Sequence, residues 1–184
     1  MKSKLKYTLI FFIVLAGCNL DQATKHIARE SLKDSPPLIL FRGFVDFCYA
    51  ENRGMAFSLL SNLNPPLRKV LAIFVPLLIT VCFSCFILRY RAKHFTSLLP
   101  FALILSGAAG NLLDRIRYGY VIDFVHFHVH DILHWPIFNM ADVLVFMGGL
   151  LLVLQYSLNP NKYIREEAKG VMTRLLALIQ LAVD

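Results

Sequence analysis

Asp142 is the residue that most needs a chemical explanation. It stands among Phe138, Met140, Ala141, Val143, Leu144, Val145 and Phe146, and the nearest basic residue in sequence is His134. A lone carboxylate in such a run needs a partner from another segment, or it holds a proton. Asn139, three residues earlier, would share its face at the start of a helix. Asp21 and Lys25 are four apart in the favourable acid-then-base order, which puts them on one helical face. Gly107, Gly110, Asn111 and Asp114 follow i, i+3, i+4, i+7, so one stripe of a helix is small and then polar. On spacing alone Asp21–Lys25 also reads as a structural ion pair, and the two glycines as plain close packing.

Other reactive side chains are less well placed. Ser58, Ser106 and four cysteines exist, but none sits in a nucleophile-elbow or protease signature. His126, His128 and His130 alternate, with Asp131 and His134 after them, and a strand would put three imidazoles on one face as a metal site. The reading adopted for this stretch is an aromatic interfacial loop with weakly basic tips, and no metal or cofactor is expected. Cys82 and Cys85 lie three apart in an apolar run and read as small packing residues.

The elements that must position these groups follow from composition. Of 184 residues, 57% are hydrophobic and 17% charged, and the mean hydropathy is +0.59. Soluble domains average about 45–50% apolar and about 25% charged. Disorder, collagen, a coiled coil and a soluble disulfide scaffold are excluded. What remains is an all-α membrane protein. Four apolar runs, about 5–25, 67–88, 95–113 and 137–158, are expected to span the bilayer as one polytopic domain. Ionisable groups inside such segments cost on the order of 2.5–3.5 kcal/mol each, so each is a functional hypothesis.

The net charge is +7, but the basic residues flank apolar runs, which points to topology or anionic lipid rather than nucleic acid. Lys2, Lys4 and Lys6, then Arg89, Arg91 and Lys93, then Lys162, Arg165, Lys169 and Arg174 mark three cytoplasmic segments. The loops 26–66 and 114–136 then face outward. In the first, Leu38–Phe41 and Phe44–Tyr49 flank Arg42-Gly43, which predicts a β-hairpin platform. The tail 159–184 carries Ile164, Ala168, Val171, Met172, Leu175, Leu176 and Ile179 on one helical face, and reads as a cytoplasmic amphipathic helix.

Five pieces together form a set that resembles the lipoprotein signal peptidase (signal peptidase II) family of intramembrane aspartyl peptidases. They are Asp21-Gln-Ala-Thr-Lys25, Glu51-Asn-Arg-Gly-Met-Ala-Phe-Ser58, Gly107-Ala-Ala-Gly-Asn-Leu-Leu-Asp-Arg115, Val121-Ile-Asp-Phe124 and Phe138-Asn-Met-Ala-Asp142. They occur in the family's order and cover about residues 5–158; Ser106 departs from it where glycine is common. The resemblance implies that Asp123 and Asp142 are the catalytic pair. It implies that Asp21, Lys25, Asn52, Gly54, Gly107, Gly110, Asn111, Asp114, Arg115, Asn139 and Ala141 bind substrate or support the site. It further implies an enzyme of the bacterial inner membrane, acting without cofactor. The implied substrates are prolipoproteins whose cysteine carries a diacylglyceryl group, cut on the N-terminal side of that cysteine.

The residues permit such chemistry. Two carboxylates sharing one proton supply both a base for water and an acid for the products. Asn52, Asn111 or Asn139 could steady an oxyanion, and Arg115 could orient substrate or brace Asp114. Membrane lipids are the other expected partners, and a monomer the expected state. The competing class is a transporter or proton relay. A relay would place ionisable groups through the membrane depth, whereas these gather at the outward helix ends. Leu15-Ala16-Gly17-Cys18 reads as a lipobox, but removing 1–17 would strip Asp21 and Lys25 of their helix. The first segment is therefore expected to be retained.

Overall fold

A computed structural model describes residues 3–41, 43–53, 64–89, 95–129 and 132–158. Gly54 and the tail 159–184, with its expected amphipathic helix, lie outside them. The chain forms two compact units, 1–148 and 149–184. The described part of the second is the apolar C-terminal portion of a helix that begins in the first.

Helix α1 covers Ser3–Leu32, strand β1 Leu38–Phe41 and β2 Val45–Asn52. Helix α2 covers Pro65–Arg89 and stays continuous through Pro76. A 3₁₀ turn, Phe95–Ser97, leads into α3, Leu99–Tyr118. Strands β3, Val121–Val129, and β4, Leu133–His134, precede α4, Met140–Leu158. The strands form one antiparallel sheet in the order β1-β2-β3-β4.

The apolar and polar residues are distributed as lipid solvent requires. Large side chains such as Phe11, Phe12, Leu78, Val81 and Phe146 are exposed, while Asp21, Lys25, Asp114, Asp123 and Asn139 are buried. In hydrocarbon, apolar groups need no shelter and polar groups need partners. Among the described residues three helical stretches, Leu5–Leu32, Val70–Arg89 and Met140–Leu158, are long and apolar enough to cross a membrane. Helix α3, the expected third span, is not among them, because Asn111, Asp114, Arg115 and Arg117 lie within its length.

Several expected boundaries move. Helix α1 runs seven residues past position 25, since no Gly or Pro follows Gly17 before Pro36. The expected loop 114–136 starts instead as helix: Asp114 and Arg115 belong to α3, which stops only at Gly119. That residue adopts φ 81°, the left-handed conformation glycine tolerates, and its N–H donates to the Arg115 carbonyl at 3.0 Å. The start of α3 moves from 95 to Leu99, with Pro100 in the first turn, where its missing N–H costs nothing.

The histidine stretch, expected as an interfacial loop, is largely strand β3. The predicted hairpin is present, turning at Gly43 with φ 82°. It gains a neighbour that its own sequence does not announce. β2 pairs with β3, bringing Ala50 opposite Asp123 and Asn52 opposite Val121.

Candidate active site

Two polar assemblies lie side by side where α1, α3, β3 and the start of α4 meet. The first is built on Lys25. Its ammonium contacts Asp21 Oδ2 and Asp114 Oδ2, each at 2.9 Å, and donates to Asn111 Oδ1 at 2.8 Å. All three N–H donors of a buried lysine thereby find oxygen, which makes its burial tolerable.

The two acids reach further. The Ala141 N–H, in the first turn of α4, donates to Asp21 Oδ1 at 2.8 Å. Such amides have no partner within their own helix, so α1 caps α4. Asp114 accepts from Gln22 Nε2 at 2.8 Å and from the Ile122 N–H at 3.2 Å. It thus pins the start of β3 one residue from Asp123.

The glycine stripe makes room for this. A Cβ on Gly110 would collide with the Asp21 carboxylate, and one on Gly107 with the Ala141 carbonyl and Val145. Packing and site support are the same requirement here. Ser106, the departure from the family pattern, packs against Gly17 and donates to the Ala102 carbonyl at 2.7 Å.

The second assembly holds Asp123 and Asp142. Asp123 Oδ1 accepts from Asn139 Nδ2 at 2.6 Å and Oδ2 from Asn52 Nδ2 at 2.9 Å. Asp142 Oδ1 accepts from Asn111 Nδ2 at 2.9 Å. Its Oδ2 accepts from the Asn139 N–H at 3.1 Å, while the Asp142 N–H donates to Asn139 Oδ1 at 3.1 Å. This reciprocal pair is a capping box, so Asn139 is the N-cap of α4 rather than a residue within it.

Asn139 is brought to Asp123 by the backbone. The Phe138 N–H donates to the Val125 carbonyl at 3.0 Å, and the Val125 N–H donates back at 2.9 Å. Asn111 joins the two assemblies, because its Oδ1 accepts from both Lys25 and Asn139. Lys25 therefore dictates that the amide nitrogen of Asn111 faces Asp142.

Burial is the main cause that pushes the Asp123 carboxyl up to about 6, with the charge of Asp142 acting in the same direction and the Asn52 and Asn139 hydrogen bonds opposing. Arg115 is buried in α3, donates to the Asn111 carbonyl at 3.2 Å, and lies within electrostatic reach of Asp114, Asp123 and Asp142. Asn52 and Arg115, both expected in loops, sit instead at the end of β2 and inside α3.

Every expected site residue within the described segments thus falls into or beside these assemblies. The partner that Asp142 lacks in sequence comes from Asn111 and Asn139. The three carboxamides considered for an oxyanion role all donate to aspartates here. Gln22 was not anticipated. It follows Asp21 directly and so falls off the Asp21–Lys25 face, although it lies inside the same motif.

Residues 13–158 match the family model described as Signal peptidase (SPase) II. The chain belongs to the signal peptidase II family. A lipoprotein signal peptidase of Clostridium tetani is 39% identical over 142 residues, 77% of this chain and 88% of that protein. One from Clostridium acetobutylicum is 32% identical over 150 residues, 82% and 94% of the two chains. A bacterial membrane enzyme solved by the in meso method superposes with a TM-score of 0.70 at 23% identity, covering 84% of this chain and 93% of that one. That likeness establishes the same fold. Signal peptidase II is a peptidase family, and with its apolar helices this member is a bacterial inner-membrane protein.

Proposed function

We propose that this signal peptidase II is an aspartic-type endopeptidase that removes signal peptides from prolipoproteins, with Asp123 and Asp142 as its catalytic pair. One observation carries the reading. Two carboxylates from different elements, β3 and the first turn of α4, are joined through the single residue Asn139, whose side-chain amide donates to Asp123 and whose backbone N–H donates to Asp142. Both fall on motif positions of the family.

The chemistry follows from two acids sharing one proton. The ionised carboxylate takes a proton from water as its oxygen attacks the scissile carbonyl carbon. The protonated carboxyl donates to the carbonyl oxygen, giving a tetrahedral diol. Collapse breaks the C–N bond: the proton first taken from water passes to the leaving amine, and a diol O–H proton returns to the other carboxylate, which restores the singly protonated pair. Burial raises the Asp123 pKa, so the pair keeps a proton to higher pH than two free carboxylates would, and the two acids titrate as a unit. Asn52 and Asn139 keep Asp123 in place, and Asn111 does the same for Asp142. Asp21, Lys25, Asp114, Gly107, Gly110 and Ala141 hold the frame, while Arg115 and the 51–58 segment, which contains Gly54, bear on the substrate.

The substrate is a prolipoprotein carrying a diacylglyceryl group on its cysteine, cut on the N-terminal side of that residue. Exposed apolar helix faces suit the signal helix and acyl chains. Helix α3 serves as a fourth crossing, its polar stripe being turned into the lattice with Lys25 rather than towards lipid. Both termini are cytoplasmic and the pair faces the outer side. The basic residues Lys2, Lys4 and Lys6, Arg89, Arg91 and Lys93, and Lys162, Arg165, Lys169 and Arg174, which follow or precede the opposite ends of the apolar runs, support this placement. The chain acts as a monomer among membrane lipids.

Purified protein in detergent should cleave a diacylglyceryl-modified precursor and leave the unlipidated precursor intact. Equal cleavage of both would overturn the substrate assignment, and no cleavage of either would overturn the activity.

A further inference from the structure

Strand alternation sets His126 and His128 on the face of β3 opposite to Asp123. Their rings stack at 5.0 Å between centroids. Asp46 of β2 is the cross-strand partner of His126, and its Oδ2 lies 2.9 Å from His128 Nε2. His134 of β4 is the cross-strand partner of His128. Its ring lies 5.5 Å from that of His126 and 5.8 Å from that of His128. Three strands thus converge one carboxylate and three imidazoles on one patch.

A cross-strand Asp46–His128 hydrogen bond accounts for only part of this. Asp46 Oδ1 is shielded from solvent and has no hydrogen-bond partner among the described residues, and an unmet buried oxygen is costly. One ligand atom each from Asp46, His126 and His128 already lies within 4.8 Å of the others. Ligand atoms around a tetrahedral zinc, at about 2.0–2.1 Å from the ion, are about 3.3–3.5 Å apart. Modest ring rotation closes that gap. Imidazole and carboxylate ligands together suit zinc and its first-row neighbours.

We propose that Asp46, His126 and His128, with His134 as fourth ligand, form a divalent transition-metal site on the sheet face turned away from Asp123. The site clips β2 to β3, the strands that carry Asn52 and Asp123, and so steadies the platform without entering the reaction. It does not depend on the peptidase assignment.

The test uses tag-free, full-length protein in detergent, titrated with zinc after chelation. The expected result is one zinc per chain and a thermal midpoint that rises with zinc. His126→Ala and His128→Ala should each weaken binding by on the order of 100-fold or more, since even outer-shell changes cost about 10–100-fold. Zinc should also protect His126, His128 and His134 of the wild-type chain from diethyl pyrocarbonate, read by mass spectrometry. That measurement stands even if a variant fails to fold. Binding by wild type no tighter than by folded variants, or modification of these histidines unchanged by zinc, would overturn the site.

Discussion

Two pairs of aspartates lie within one network, and they are held in opposite ways. Asp21 and Asp114 share an ammonium, Lys25, with 2.9 Å to each. Asp123 and Asp142 are held by carboxamides and a backbone N–H, that is, by neutral donors. A cation between two acids balances their charge and resists any change in it. Neutral donors orient a carboxylate without balancing its charge, so a proton can be held, shared or moved. The same side chain is scaffold in one place and reagent in the other, and its neighbours decide which.

The comparison breaks most sharply at the reactive pair. Asp123→Asn or Asp142→Asn should lower turnover of a lipidated precursor by on the order of 10⁴-fold, because acid–base catalysis is lost, while the protein stays folded and inserted. Substantial turnover in either variant would refute the pairing. At the scaffold pair the loss should be structural. Lys25→Met strands two buried carboxylates and Asp114→Asn leaves the ammonium half-compensated, which typically costs about 3–5 kcal/mol. Thermal unfolding in detergent should show a large drop for each. An unchanged midpoint would make Lys25 dispensable to the fold.

A smaller effect is expected at residues that place rather than react. Asn52→Ala and Arg115→Ala should each cost on the order of 100-fold in turnover with the fold retained. Wild-type rates in both would remove them from the site.

Stability against pH separates the two pairs more gently. The folded pKa of Asp123, about 6, lies above the unfolded value of about 3.9. The folded chain therefore holds that proton more tightly, and stability falls as pH rises from about 4 to about 6. Above that window Asp123→Asn should melt no lower than wild type, and at about pH 4 it should lose that advantage. A variant less stable than wild type at pH 7.5 would contradict the burial argument. The smallest effect belongs to Cys18, half-buried on α1. Cys18→Ala should keep full activity, with the intact mass showing residues 1–17 retained. A mature species beginning at Cys18 with acyl mass would overturn this.

Much of the site was legible because its residues recur at helical spacing. Asp21 with Lys25, and Gly107 with Gly110, Asn111 and Asp114, each lie on one face of a single helix, where local geometry alone makes them neighbours. The hairpin was legible for a similar reason, since Gly43 marks its turn. The β2–β3 pairing was not, because its partners are about 70 to 80 residues apart and neither strand states its register. Nor was the extension of α3 beyond Asp114, through Arg115 and Arg117 to Tyr118. Charged residues read as a helix end until Lys25, Gln22 and the Ile122 amide are seen to satisfy Asp114.

The sequence by itself determined the solvent, the apolar helices and the residue types able to do carboxylate chemistry, since these follow from composition, run length and periodicity. Only the tertiary structure decided which carboxylates meet an ammonium and which meet carboxamides. That choice depends on Asn111 and Asn139, whose amides can face either way until other segments fix them. Lys25 of α1 orients Asn111, and β3 together with the first turn of α4 orients Asn139. Hydrogen bonds between segments far apart in the chain have no period to read, so the division between scaffold and reagent exists only once the chain has folded.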